Sequence, residues 1–150
     1  MADITIRPKK SEFQDILKKI VEISAQMNES PDFFKSANLI KLVADEKEYR
    51  SSIRGKLEKT HIEKELTGVS KLTLHLSPLA MRDPGFALFI SELLYNQGIN
   101  VIHSYVDEDT ILIVKTEDAA RAYEILEREI ARSKSMPKTS FSVKRRVGSS

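Results

Sequence analysis

Two short runs carry the residue types best suited to holding a small molecule. The first is Met81-Arg82-Asp83-Pro84-Gly85 and the second is Asn100-Val101-Ile102. Pro84 fits the first position of a helix, where its missing N–H costs nothing, and Asp83 suits the cap before it. The N–H groups of a first helical turn suit a carboxylate. Gly85 has no side chain to keep a ligand away from that turn. The side-chain amide of Asn100 both donates and accepts hydrogen bonds. Met81 and Arg82 add a surface to pack on and a charge to pair with. The same residues also have a plain structural use: Asp83-Pro84-Gly85 starts a helix and Asn100 closes a turn.

Other chemistry is sparse. The chain has no cysteine, which excludes disulfides, thiol catalysis and Cys-ligated zinc. His61, His75 and His103 do not stand at metal-ligand spacing from one another or from a carboxylate on a helix. Asp107-Glu108-Asp109 is the polar composition a hairpin turn needs. No Ser/His/Asp order, phosphate loop or catalytic carboxylate pair stands out. No catalytic residue, metal or cofactor is therefore expected. The 24 Lys and Arg nearly balance the 22 Asp and Glu, for a net charge of +2. That balance argues against a nucleic-acid partner, and Lys144-Arg145-Arg146 is too short a cluster to reverse it. The longest apolar run is far too short to span a bilayer, and the N-terminus lacks a signal-peptide core. A soluble, cytoplasmic protein with no membrane contact is expected.

The elements that must position the two runs are legible from periodicity. Leu72, Leu74 and Leu76 alternate with Lys71, Thr73, His75 and Ser77, which predicts a strand with one apolar face. Phe86, Phe89, Ile90, Leu93 and Leu94 recur at helical spacing over 84–97, and Gly98 supplies the left-handed stop. Residues 100–106 and 110–115 read as a hairpin. Ile111 and Ile113 lie on one face of its second strand, and Leu112 and Val114 on the other, so both faces should be covered. The outer face is expected to meet the first half of the chain, another subunit, or both. Ala119, Ala122, Tyr123, Leu126 and Ile130 form the stripe of a helix over 117–132. Phe141 and Val143 begin a last short strand. The order β-α-β-β-α-β is that of a ferredoxin-like α+β sandwich.

The first half is less regular. Ile4 and Ile6 suggest a strand. Ser11 and Gln14 have capping-box spacing ahead of a helix with Phe13, Ile16, Leu17, Ile20, Val21, Ser24 and Met27 on one side. Leu39 to Val43 reads as a strand. Asp45 and Glu48 repeat the capping-box spacing and open a helix through about Ile53, and 58–66 is a charged, edge-like strand. The run from Asn38 to Glu46 echoes the run from Thr110 to Asp118, each a strand turning into a helix through an acidic cap.

The order of elements over 71–130, with Asp83-Pro84-Gly85 at the first helix start and Gly98-Ile99-Asn100 leading into the second strand, resembles the ACT domain. This is a small module that senses amino acids for other proteins, and the likeness is to the ACT units of aspartokinase-type regulators. It implies an ACT-like domain over residues 69–147. With the internal echo, it makes residues 1–68 a degenerate ACT-like unit, a helical unit being the alternative. It implies a stand-alone regulatory protein rather than an enzyme, one that binds a small ligand, an amino acid, at a domain or subunit interface. Met81, Arg82, Asp83, Pro84, Gly85, Asn100, Val101 and Ile102 would form one wall of that site. A homodimer and an enzyme regulated by it would be the partners. Two features depart from the family: Ser77-Pro78 stands where a glycine is common, and Ser104-Tyr105-Val106-Asp107 where Thr/Ser-Ser-Glu/Asp is common. Lysine or threonine sensing therefore does not carry over. Two other functions remain open: a transcriptional regulator whose N-terminal half binds DNA through Lys47, Arg50, Arg54 and Lys56, and an assembly module with no ligand.

Overall fold

The structure, a computed structural model, describes residues 1–57, 61–77, 84–106, 109–133 and 141–147. The chain divides into two compact units, Met1–Val69 and Ser70–Val147.

The first unit runs β1 (Ala2–Ile6), a helix (Phe13–Ser24), β2 (Asp32–Lys35), β3 (Ile40–Ala44), a broken helical segment (Glu46–Lys56) and β4 (Ile62–Leu66). Its sheet has the order β2-β3-β1-β4, with every pairing antiparallel. Alternation places Ile4 and Ile6 of β1, and Ile40, Leu42 and Ala44 of β3, in one core with the Phe13 helix. The helix buries Phe13, Ile16, Ile20 and Ile23, a 3-4-3 stripe. Val21, expected on that stripe, is 51% exposed, and Ile23 takes the buried place instead. The Ser11 cap is also corrected. Residues Lys10–Glu12 form a 3-10 turn, and the helix starts after Glu12 with no side-chain cap. The Asp45 cap does form, its Oδ2 accepting from Glu48 N at 3.2 Å. The Glu48 carboxylate accepts from the backbone N–H of Asn28 at 3.0 Å and Glu29 at 3.3 Å, tying down the loop after the first helix.

A four-stranded sheet is incompatible with a helical N-terminal unit, and that alternative falls. Leu39 to Val43 contributes a strand, and the segment carrying Arg50 and Arg54 is too short and irregular for a recognition helix. It is an α-turn over Glu46–Glu48, a π-turn over Tyr49–Ile53 and a 3-10 turn over Arg54–Lys56.

The second unit runs β5 (Val69–Leu76), a helix (Pro84–Asn96), β6 (His103–Val106), β7 (Thr110–Lys115), a helix (Thr116–Ser133) and β8 (Phe141–Val147). Its sheet order is β6-β7-β5-β8. In each unit the first and third strands are central and the second and fourth are edges, so the topology is the same. Leu72, Leu74, Leu112 and Val114 pack with Phe86, Ile90 and Leu94 of one helix and Ala119, Ala122 and Leu126 of the other. One cluster shared by both helices places them on the same face of the sheet. The side chain of Leu76, expected in this core, lies outside the described residues. Leu112 and Val114 thus take the helix-facing side of β7. Ile111 and Ile113 take the opposite face and are buried as well.

The Pro84 helix ends in a complete Schellman motif. Ile99 N–H bonds to Leu94 O at 3.0 Å and Gly98 N–H to Tyr95 O at 2.9 Å, with Gly98 at φ +77°. Ile99 is buried in the same cluster as Leu94. A Cβ built on Gly98 meets nothing within 4 Å, so the cost of a side chain there is one of backbone conformation. Gly98→Ala should destabilise the protein by about 1–2 kcal/mol in urea denaturation. Gly55→Ala, at a glycine without positive φ and with equal space, should cost nothing measurable.

Candidate ligand-binding groove

Asn100, Val101 and Ile102 lie between the Schellman motif and β6. The buried Ile99 fixes where the chain leaves the helix, and Ile102 N–H bonds to Ile113 O at 2.8 Å, fixing where it joins the sheet. The three residues border an open groove of about 490 Å³ with Ser91, Glu92 and Tyr95 of the helix. That volume suits a small molecule. Asn100 is exposed, while Val101 and Ile102 are half-buried. The walls are largely uncharged, Glu92 being the acidic residue among them. Tyr95 is 76% exposed at the rim. His103, also on the lining, has its ring 6.0 Å from that of Tyr105.

Of the other residues expected on this wall, Met81, Arg82 and Asp83 lie outside the described residues. Pro84 and Gly85 open the helix whose far end leads to Asn100, and 13 residues at about 1.5 Å each put about 20 Å between the two ends. Gly85 and Phe86 are already engaged in interactions of their own. A single unit therefore gathers Asn100–Ile102 into a groove and leaves Gly85 away from it.

The histidines have local partners. His75 Nδ1 lies 3.0 Å from Asp109 Oδ2, and His61 Nε2 lies 2.7 Å from Glu12 Oε2. His75 and His103 stand on β5 and β6, which β7 separates. Among the described residues no group of three or more His, Cys, Asp or Glu could hold a metal ion.

A second polar cluster lies in the first unit. Tyr49 is buried, and its hydroxyl donates to Glu65 Oε1 at 2.5 Å. Arg54 Nε contacts the same oxygen at 3.3 Å. Burial, and then the Glu65 carboxylate, raise the tyrosine's pKa well above its ordinary value near 10. The i,i+4 spacing of Arg50 and Arg54 was visible in sequence, but its partner Glu65 comes from β4, eleven or more residues away.

Comparison with known proteins places this geometry. Residues 66–128, most of the second unit, match the family model of the ACT domain. Solved structures share the fold across both units. One is described as aspartokinase alpha and beta subunits, with 17% identity, TM-score 0.61, and 85% of this chain and 90% of that one covered. The ligand-free regulatory subunit of aspartate kinase from Thermus thermophilus is similar at 14% identity and TM-score 0.60, over 85% of this chain and 91% of that one. Aspartate kinase from Clostridium acetobutylicum is similar at 16% identity and TM-score 0.62, over 81% of this chain but 30% of the kinase. Identities this low speak for the fold. No curated protein matches the chain in sequence. No helix among the described residues is long and apolar enough to cross a membrane.

Proposed function

We propose that the protein is a non-catalytic regulator of the ACT type that binds an amino acid in a groove completed by a second copy and passes the change to an enzyme partner. Residues 1–68 serve as a degenerate ACT-like unit and 69–147 as the ligand-binding one. The observation that carries this reading is the exposed apolar surface of the Pro84 helix and β6. Leu88, Phe89, Tyr95 and Val106 are all exposed on these two elements, and Tyr95 lines the Asn100 groove. Exposed apolar side chains on one helix and an edge strand suit an interaction surface, and β6 is an edge strand.

A two-fold pair explains the split wall. If a second copy packs along the Pro84 helix about an axis perpendicular to it, the two helices run antiparallel. The copy's Gly85 end then approaches this copy's Asn100 end. A ligand would then lie between the start of the Pro84 helix in one copy and the Asn100 groove of the other, its ammonium group meeting the Asn100 amide or a nearby carbonyl. The aspartokinase regulatory subunits that share the fold make an enzyme partner a natural expectation.

Two measurements test this. Light scattering at micromolar concentration should give the mass of a dimer, and Tyr95→Asp should shift it toward the monomer. Asn100→Ala should weaken amino-acid binding by about 1–3 kcal/mol in titration calorimetry, the cost of a ligand polar group losing its partner in a groove that the second copy closes. A monomeric wild type, or an Asn100→Ala variant that binds as well as wild type, would contradict the reading.

A further inference from the structure

The first unit holds a second groove, of about 580 Å³, between the Arg50–Gly55 stretch and β4. It is separate from the Asn100 groove, and its chemistry is different. Arg50, Arg54 and Lys64 line it together with Glu63 and Glu65. Both carboxylates are already engaged, Glu63 by Arg7 Nε at 3.0 Å and Glu65 by the Tyr49 hydroxyl and Arg54. The cations keep capacity. Arg54 contacts Glu65 through Nε, and a guanidinium has five N–H donors. Arg50, itself 56% exposed, pairs with the half-buried Glu46 at 2.7 Å, an i,i+4 contact of the kind that contributes little. Lys64 has no ion pair among the described residues.

The backbone contributes as well. Arg54 N–H bonds back to Tyr49 O, closing the π-turn over Tyr49–Ile53. Such turns are rare and occur often at functional sites. Here the buried Tyr49 and its bond to Glu65 hold the turn against β4. Gly55 follows, and a Cβ built on it meets no atom within 4 Å, so the groove is open at that point.

We propose that this groove binds a small molecule through an oxyanion, a carboxylate or a phosphate, held by Arg50, Arg54 and Lys64. Guanidinium groups match the planar and tetrahedral geometry of such anions and bind them through paired hydrogen bonds. The site is a second ligand site, independent of the amino-acid groove.

Titration calorimetry of the full chain at low salt, with succinate and with inorganic phosphate in separate runs, tests the proposal. Saturable millimolar binding of at least one probe is expected, and the probe that binds tells carboxylate from phosphate. Arg50→Gln and Gly55→Leu should each weaken it by about tenfold or more. Gly55→Leu starts from a Cβ that meets no atom within 4 Å, so its melting temperature without ligand should stay close to wild type. Arg50→Gln covers the case in which Gly55→Leu alters the turn. Absence of binding by both probes, or binding that both variants leave unchanged, would overturn the proposal.

Discussion

Leu74→Ala should lower the stability of the protein by about 2–5 kcal/mol, measured by chemical denaturation. Leu74 is fully buried on β5, where Leu72 shares its face and both helices of the second unit close over it. Neither helix can collapse into the space left by a leucine without drawing away from the other, so a cavity remains. Val21→Ala provides the contrast. That residue lies on the Phe13 helix but is 51% exposed, and its truncation should change stability by no more than about 0.5 kcal/mol. Equal effects from the two changes would mean that the buried faces of β5 and the Phe13 helix are assigned wrongly.

Tyr49→Phe should cost about 1–3 kcal/mol and alter how stability depends on pH. The phenylalanine keeps the buried ring and removes the donor to Glu65, leaving that carboxylate with Arg54 alone. The sign at high pH follows from the raised pKa. In the unfolded chain the phenol loses its proton near pH 10, while in the folded protein it keeps it. Above that pH the folded state binds more protons than the unfolded state, so stability falls as pH rises. Below it the contribution is fully present. Lysines titrate in the same range, so the quantity to measure is the difference between wild type and Tyr49→Phe. That difference should be constant up to about pH 10 and shrink above it. A difference that grew with alkaline pH would contradict the buried, carboxylate-bonded placement of Tyr49.

Local pattern made the second unit legible. Period-two alternation in Leu72 and Leu74, the helical spacing of Phe86, Ile90 and Leu94, and the glycine stop at Gly98 all act over a few residues, and the structure follows them. The first unit reads less well because long-range contacts decide it. Asp32-Phe33-Phe34-Lys35 has no clear alternation, and it becomes a strand because β3 offers an edge with Phe33 opposite Leu42. The helix expected after Asp45 is broken by a π-turn that Tyr49 and Glu65 stabilise from two different elements. The Ser11 box failed for a related reason: Glu12 is drawn to His61, next to β4, and the chain tightens into a 3-10 turn before the helix.

Of the candidate site, the Asn100–Ile102 groove follows from local pattern, because Gly98 and Ile99 set where the chain leaves the helix. Strand and helix patterns say which residues share an element, but the two ends of one helix stand about 20 Å apart, so periodicity alone does not relate Gly85 to Asn100.

The central claim is that this protein senses an amino acid. Its most direct test is the thermal unfolding of the full chain in the presence of each standard amino acid in turn, because a ligand that binds the native state raises its stability by mass action. The account predicts that at least one raises the melting temperature in a saturable, concentration-dependent way, and that Asn100→Ala diminishes the rise. No shift with any of them, at concentrations that saturate ordinary metabolite sites, would contradict it and leave a ligand-free assembly module as the better description.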